Sequence, residues 1–182
     1  FVRNAHKIAN PKAKTVVKDL FDITADDLKE FDVVIDAFGA WTEKTLPLHI
    51  TSLQHLCDLL SNTKIRLLVV GGAGSLYIDP AHTVQVMDLD NFPEAFKPVA
   101  FYTGEALKML RERNDVVWTY LSPAADFQAD GARTGNILLG GEEYFVNEKG
   151  VSAISYADYA IAMIDEIEKA DHIQKRFSVI GA

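Results

Sequence analysis

The stretch "IRLLVVGGAGSLYID", residues 65–79, places an apolar run directly before three glycines and a serine. A run such as "LLVV" is typical of a strand that is buried on both faces of a parallel sheet. A dinucleotide fingerprint would need G-x-G-x-x-G opening a helix, but no clear helix follows Gly71, Gly72 and Gly74, and the lysine of a P-loop is absent. We therefore interpret the glycines as a flexible loop that carries Ser75 and Tyr77 toward a ligand. The alternative is a tight turn that needs glycines for its backbone alone.

Outward from this stretch, apolar strands and amphipathic helices alternate along the whole chain. Patterning predicts strands at 13–20, 32–40, 65–72, 115–123 and 176–182, and helices at 23–31, 45–63, 92–114 and 155–171. Repeated alternation of this kind predicts an α/β domain built on a doubly wound parallel sheet, with helices on both faces. Since the chain has 182 residues and no obvious linker, we expect a single domain over 1–182.

One segment breaks the alternation. Residues 126–153, "DFQADGARTGNILLGGEEYFVNEKGVSA", are rich in glycine and turn formers and lie between one predicted strand and the next helix. This is where an open α/β domain would keep an insertion near its substrate site, and loops carry function more often than scaffolds do. A hairpin without functional role is an equally good interpretation.

Composition excludes several classes of function. The formal net charge is -8 and no run of Lys and Arg stands out, so we expect no nucleic-acid partner. The apolar runs are far shorter than the roughly 18 residues of a membrane span, so we expect no membrane partner. Cys57 is the only cysteine, which rules out an internal disulfide and favours a cytoplasmic location. The five histidines show no spacing typical of metal ligands, and we expect no metal site.

Candidate site residues follow the predicted strands, because open parallel sheets bind ligands beyond the carboxyl ends of their strands. Arg3 follows "FV", where a basic residue would suit the 2′-phosphate of NADP, although taken alone the residue is better explained as a solvated surface arginine. Asp19 follows "TVV" and could accept a hydrogen bond from adenine or cap the next turn. The small residues of "AFG" (37–39) would let a ribose or phosphate approach the backbone.

An ordered set of motifs resembles a known family. The stretches are "FVRN" (1–4), "KDLFD" (18–22), "VIDAFG" (34–39), "VVGGAGSL" (69–76), "TYLSPAADF" (119–127), "RTGNILLGGEEYF" (133–145) and "ISYADYAIAMIDEIE" (154–168). Together they resemble the atypical short-chain dehydrogenase/reductase group, and within it the NADH-flavin reductase-like proteins, relatives of biliverdin reductase B and of NmrA-like regulators. The resemblance covers essentially the whole chain. It implies a Rossmann-like fold, NADP or NAD as cofactor and FMN among the substrates.

The resemblance also implies roles for individual residues. Arg3 would recognise the 2′-phosphate, and Asp19 with Leu20 would hold adenine. Ala37, Phe38 and Gly39 would lie along the ribose and phosphates. Gly72, the catalytic candidate Ser75, and Ser122, Pro123 and Ala124 would flank the nicotinamide, while residues 133–139 would form part of the substrate wall.

Two departures from the family pattern stand out. Family members begin with a strand, a glycine loop and a helix, whereas this chain begins where their second strand is ending, so we expect it to be a fragment lacking one βα unit of about 30 to 40 residues. The Tyr-x-x-x-Lys pair of many dehydrogenases is absent, because Tyr102 is followed four residues on by Ala106, and Lys108 lies six residues away.

These observations favour an NAD(P)H-dependent oxidoreductase that transfers hydride to a flavin or quinone-like acceptor, whose ring atoms take protons from water. The alternative is a non-catalytic NAD(P)-sensing regulator of NmrA-like type, which needs no acid either. A sugar-nucleotide or isoflavone-type reductase would need a proton donor that the sequence does not reveal. The resemblance implies a monomer or a homodimer.

Overall fold

The computed structural model describes residues 1–182 and contains one central sheet. The strands are β1 (Val33–Asp36), β2 (Arg66–Val70), β3 (Val117–Ser122), β4 (Asp126–Gln128), β5 (Ile137–Gly140), β6 (Ala153–Ser155) and β7 (Lys175–Gly181). Five of them form the sheet in the order β1-β2-β3-β7-β5, and all its pairings are parallel except that of β5 with β7. The predicted doubly wound parallel α/β sheet is confirmed, and β5 is the one antiparallel strand in it.

The helices cover both faces of this sheet. They are α1 (Ala25–Leu28), α2 (Leu48–Leu60), α3 (Lys97–Arg111) and α4 (Tyr156–Lys169). Side chains alternate across a strand, so Leu67 and Val69 of β2 pack with α2 and α3, whereas Leu68 packs with α4. None of the helices is both long and apolar enough to cross a bilayer.

The prediction of a strand at 13–20 is wrong. Only one bridge forms there, between Val2 and Val17, and it runs parallel. Val16 and Val17 are 46% and 64% exposed, because no further strand flanks them to complete a ladder. The predicted helix at 23–31 is likewise reduced to the four residues of α1, which begins after its N-cap residue Thr24.

The segment 126–153 is not a hairpin. Its strands β4 and β5 do not pair with each other: β4 pairs with β6 in a small parallel sheet, and β5 adds an antiparallel strand to the main sheet beside β7. The segment therefore belongs to the fold itself. Residues 134–135 of the segment are held to α4 by Asp158, which accepts hydrogen bonds from Thr134 and Gly135.

Candidate functional site

The carboxyl ends of three neighbouring strands meet at one edge of the sheet. Their register is parallel, with Asp36 opposite Val69 and Val70 opposite Leu121. The residues that follow the three strands are therefore neighbours; we call 37–39, 71–75 and 122–124 the carboxyl-end edge. The structure thus brings together eight of the predicted site residues: Ala37, Phe38, Gly39, Gly72, Ser75, Ser122, Pro123 and Ala124.

The glycines at this edge are required by close packing. A Cβ on Gly71 would lie 2.1 Å from the Cε1 atom of the Tyr120 ring, and one on Gly74 would lie 2.5 Å from the Cβ of Ala100 on α3. Neither glycine has a positive φ. The turn-conformation interpretation of the glycines is therefore wrong: the loop needs them because it lies directly against β3 and α3.

The loop that carries Ser75 is held firmly. Ser75 is 4% exposed, and its hydroxyl accepts a hydrogen bond of 2.9 Å from the guanidinium of Arg176. Backbone hydrogen bonds from Met87 to Gly74 and from Val86 to Leu76 fix the rest of the loop. The expectation of a flexible loop is therefore not met, and Ser75 is placed to hold the loop in position.

Tyr120 joins the loop to α3. Its hydroxyl accepts a hydrogen bond of 3.2 Å from the Gly72 N–H and donates one of 3.3 Å to the Thr103 carbonyl. Burial raises the pKa of Tyr120 to about 12, so its proton stays in place at neutral pH. The backbone of Gly72 is in this way fixed at the carboxyl-end edge.

Ser122 ends β3 with an unsatisfied hydroxyl. The residue is fully buried, and its Oγ has no hydrogen-bond partner in the protein. Such a buried polar atom calls for a water or a ligand, since nearly all others in folded proteins are paired. The small residues Ala37, Gly39, Gly72 and Ala124 lie at the same edge and carry little side-chain volume.

Asp36 ends β1 beside this edge. It lies in the stretch "VIDAFG", but the sequence analysis gave it no role. The residue is 6% exposed, and its carboxylate accepts one hydrogen bond of 3.0 Å, from the Phe38 N–H. Burial raises the pKa of Asp36, although that hydrogen bond and the nearby His49 oppose the shift. A carboxylate at the end of an apolar strand was the signal that could have identified it.

Arg176 is a second residue that sequence reasoning missed. Its side chain is 1% exposed, bonds both the carbonyl and the hydroxyl of Ser75 at 2.9 Å, and forms an ion pair with Glu142. Arg111 of α3 reaches the same carboxylate at 2.6 Å. Ser75, Arg111 and Arg176 border a cleft of about 320 Å³ against α3.

The remaining predicted residues lie in the amino-terminal part of the chain. The parallel bridge at Val2 places Arg3 beside Lys18, and Arg3 is exposed. Asp19 caps the 3₁₀ turn at Leu20–Asp22 by accepting a hydrogen bond of 3.1 Å from the Phe21 N–H, which was its alternative interpretation. Leu20 packs against the α2 side of the core. No hydrogen bond joins these residues to the carboxyl-end edge.

Four histidines are engaged in contacts within the fold. His49 and His55 lie 3.0 Å from the carbonyls of Ala40 and Ile23, while His82 and His172 lie 2.7 Å from Glu143 and Glu166. No group of three His, Cys, Asp or Glu side chains is arranged to hold a metal ion.

Individual relatives, rather than a family model, show to which family the chain belongs. No model of a known protein family matches it. It is 46% identical over 181 residues to the protein YwnB of Bacillus subtilis (strain 168), covering 99% of this chain and 84% of that protein.

Solved structures of other proteins are similar to the chain in both sequence and fold. A "putative NADH-flavin reductase" from Streptococcus pneumoniae TIGR4 is 50% identical, with a TM-score of 0.95, over 100% of this chain and 85% of that one. A protein from Lactobacillus casei is 29% identical, with a TM-score of 0.88, over 100% and 86%. The chain belongs to the family of these NADH-flavin reductase-like proteins, in the atypical short-chain dehydrogenase/reductase group.

Proposed function

We propose that the protein is an NAD(P)H-dependent oxidoreductase that transfers hydride to a flavin or quinone-like acceptor. The observation that carries the proposal is the carboxyl-end edge: three adjacent strand ends with small residues and one buried, unpartnered hydroxyl. Ligands of open α/β sheets bind at such an edge. The similarity to the streptococcal "putative NADH-flavin reductase" supports the same activity.

The cofactor would lie along this edge. Ala37, Phe38 and Gly39 would follow its ribose and phosphates, while Gly72, Ser122, Pro123 and Ala124 would flank the nicotinamide, which supplies the hydride when bound. The exposed Arg3 would recognise the 2′-phosphate of NADP, and Asp19 with Leu20 would hold adenine. The segment 133–139 would border the acceptor, held in place by the hydrogen bonds of Thr134 and Gly135 to Asp158.

The protein's own contribution would be to position two flat rings and to exclude water from between them. Ser75 fits this role as a positioning residue, because its contact with Arg176 fixes the loop that carries Gly72. Tyr102 and Lys108 lie six residues apart on α3, too far around the helix to act as an acid pair. A flavin or quinone does not need such a pair, since its ring atoms can take protons from water.

The test is oxidation of NADPH and NADH, followed by absorbance, with FMN, riboflavin and a soluble quinone as acceptors. Protein from the full reading frame is compared with Ser75→Ala, Arg3→Ala and the control Lys149→Ala, which changes another exposed cation. We expect turnover with FMN to fall in Ser75→Ala. In Arg3→Ala we expect the preference to move from NADPH toward NADH, and in Lys149→Ala we expect no change.

The second candidate is a dinucleotide sensor without turnover. It is favoured by the separation of Tyr102 from Lys108 and by the engagement of Ser75 with Arg176. Binding of NADPH without oxidation by any acceptor would support the sensor and overturn the reductase. Absence of binding to either dinucleotide would overturn both.

A further inference from the structure

Asp36 is buried with too few partners for a stable carboxylate. Only the Phe38 N–H donates to it, and the residue is 6% exposed. A buried carboxylate normally needs several donors or a cation to offset the loss of water. Because Asp36 directly precedes residues 37–39, its charge would lie next to whatever ligand these residues hold.

A small cavity beside Asp36 connects it to other polar groups. The cavity has a volume of about 20 Å³, enough for a single water, which needs roughly 10–15 Å³. Its polar lining consists of Asp36, His49, Thr103 and Tyr120. A water here could hydrogen-bond to the carboxyl group in either protonation state.

Few ionisable groups face this carboxyl. From α2 they are His49 and the buried Cys57, and from β3 Tyr120; β2 and α3 contribute only Val69, Val70, Thr103 and Ala106 to the cavity. Burial raises the pKa values of Cys57 and Tyr120 to about 12, so both stay neutral near pH 7. The remaining neighbour is His49, and any test must control for it.

We propose that binding of a dinucleotide at the carboxyl-end edge is accompanied by uptake of one proton at Asp36. The proposal rests on the proposed function, which lays the cofactor's phosphates along residues 37–39. A carboxylate and a pyrophosphate repel each other in a partly dry site, whereas a neutral carboxyl group does not. The raised pKa of Asp36 in the free protein agrees with this, because it lowers the cost of adding the proton.

The test measures NAD⁺ affinity by calorimetry between about pH 5 and 9, in pairs of buffers with different ionisation enthalpies, which reports the protons taken up. NAD⁺ is chosen over NADP⁺ because a 2′-phosphate monoester titrates near about pH 6. We expect Kd to increase by up to about tenfold per pH unit above the pKa of Asp36, the limit for one proton. The same range should show uptake approaching one proton.

Variants identify the group that takes up the proton when NAD⁺ binds. Asp36→Asn should bind NAD⁺ with little dependence on pH, while the control Asp32→Asn, an exposed carboxylate before the same strand, should keep the slope. His49→Gln should also keep it. Carbon NMR of the Asp36 carboxyl in the wild type, with and without NAD⁺, gives the protonation state directly and does not depend on any variant folding.

The outcomes separate this proposal from the proposed function. Binding that is independent of pH, or an Asp36 carboxyl signal that NAD⁺ leaves ionised, would overturn the linkage and leave the reductase standing. A slope lost in His49→Gln and kept in Asp36→Asn would assign the proton to the histidine and also overturn it. Absence of binding to NAD⁺ and NADP⁺ at every pH would overturn both.

Discussion

At the scale of single residues, two buried aspartates show how hydrogen-bond donors decide ionisation. Asp158 accepts from the Thr134 N–H and hydroxyl and the Gly135 N–H at 2.7–2.9 Å. Burial acts to raise the pKa of Asp158, but these hydrogen bonds outweigh it and the pKa is lowered. With its single donor, Asp36 shifts in the opposite direction. Both residues are buried, with 6% of Asp36 and 3% of Asp158 exposed, and they differ in the number of hydrogen-bond donors that face the carboxyl group.

Opposite pH dependences of stability follow from this contrast. A lowered pKa stabilises the fold above the unfolded value of about 3.9, and this contribution is lost as pH falls through the folded pKa. A raised pKa gives a contribution that is present below the unfolded value and lost as pH rises through the folded pKa.

Asp158→Asn should therefore lower the free energy of unfolding by about 1 to 3 kcal/mol at neutral pH, with the difference shrinking in acid. The free energy of unfolding of Asp36→Asn should increase relative to that of the wild type as the pH rises above about 4. Urea unfolding across this range measures both, with Asp32→Asn as the control. Parallel profiles for Asp36→Asn and Asp158→Asn would contradict the assignment.

At the scale of elements, the loop after β2 is shaped by what lies beneath it. Tyr120 of β3 fills the space where Gly71 lacks a side chain, and Ala100 of α3 does the same at Gly74. The Tyr120 hydroxyl then bonds the backbone on both sides of this contact, at Gly72 and Thr103. Strand, loop and helix are therefore joined by direct contacts, which suits an edge that must hold a ligand in register.

Gly71→Ala tests this packing. The added methyl group collides with the Tyr120 ring, so the loop or β3 must shift, and we expect a loss of about 1 to 3 kcal/mol in the free energy of unfolding. Gly141→Ala is the matched control, since its Cβ would meet only the Glu143 carboxylate at 3.5 Å. Urea unfolding of both variants gives the comparison. Equal losses would show that the close approach at Tyr120 does not determine the effect.

At the scale of the whole molecule, one carboxylate ties distant parts of the chain together. Glu142 follows β5 and forms ion pairs with both Arg176 of β7 and Arg111 of α3. Arg176 in addition bonds Ser75 of the loop after β2. Segments that are as many as 101 positions apart in the sequence meet at this guanidinium, which couples the sheet edge at β5 to the proposed site.

Replacement of Arg176 should accordingly affect the whole fold. Arg176→Met removes a cation that is 1% exposed and leaves Glu142 and Ser75 with lost partners, and we expect a loss of about 3 to 5 kcal/mol. Arg111→Met removes a side chain that is 38% exposed from the same carboxylate, and we expect about 0 to 1 kcal/mol. Thermal and urea unfolding measure both. A small loss in Arg176→Met would show that the buried contact is dispensable.

The sequence by itself determined the order and the kind of the main elements. Apolar runs such as "LLVV" and the helical spacing around Leu53 and Leu56 are local patterns, and burial on two faces of a sheet or one face of a helix dictates them. β2, β3, β7 and the three long helices therefore lie where patterning placed them, with ends shifted by a few residues.

Only the tertiary structure decided what depends on partners far along the chain. The run at 13–20 has the apolar pattern of a strand but lacks the neighbours that would make it one. The antiparallel placement of β5, the burial of Arg176 against Ser75 and the single donor to Asp36 each depend on contacts that no local pattern encodes. Burial and hydrogen-bond supply are set by the assembled fold, and these two quantities fix the charge state of a side chain and the groups it can hold.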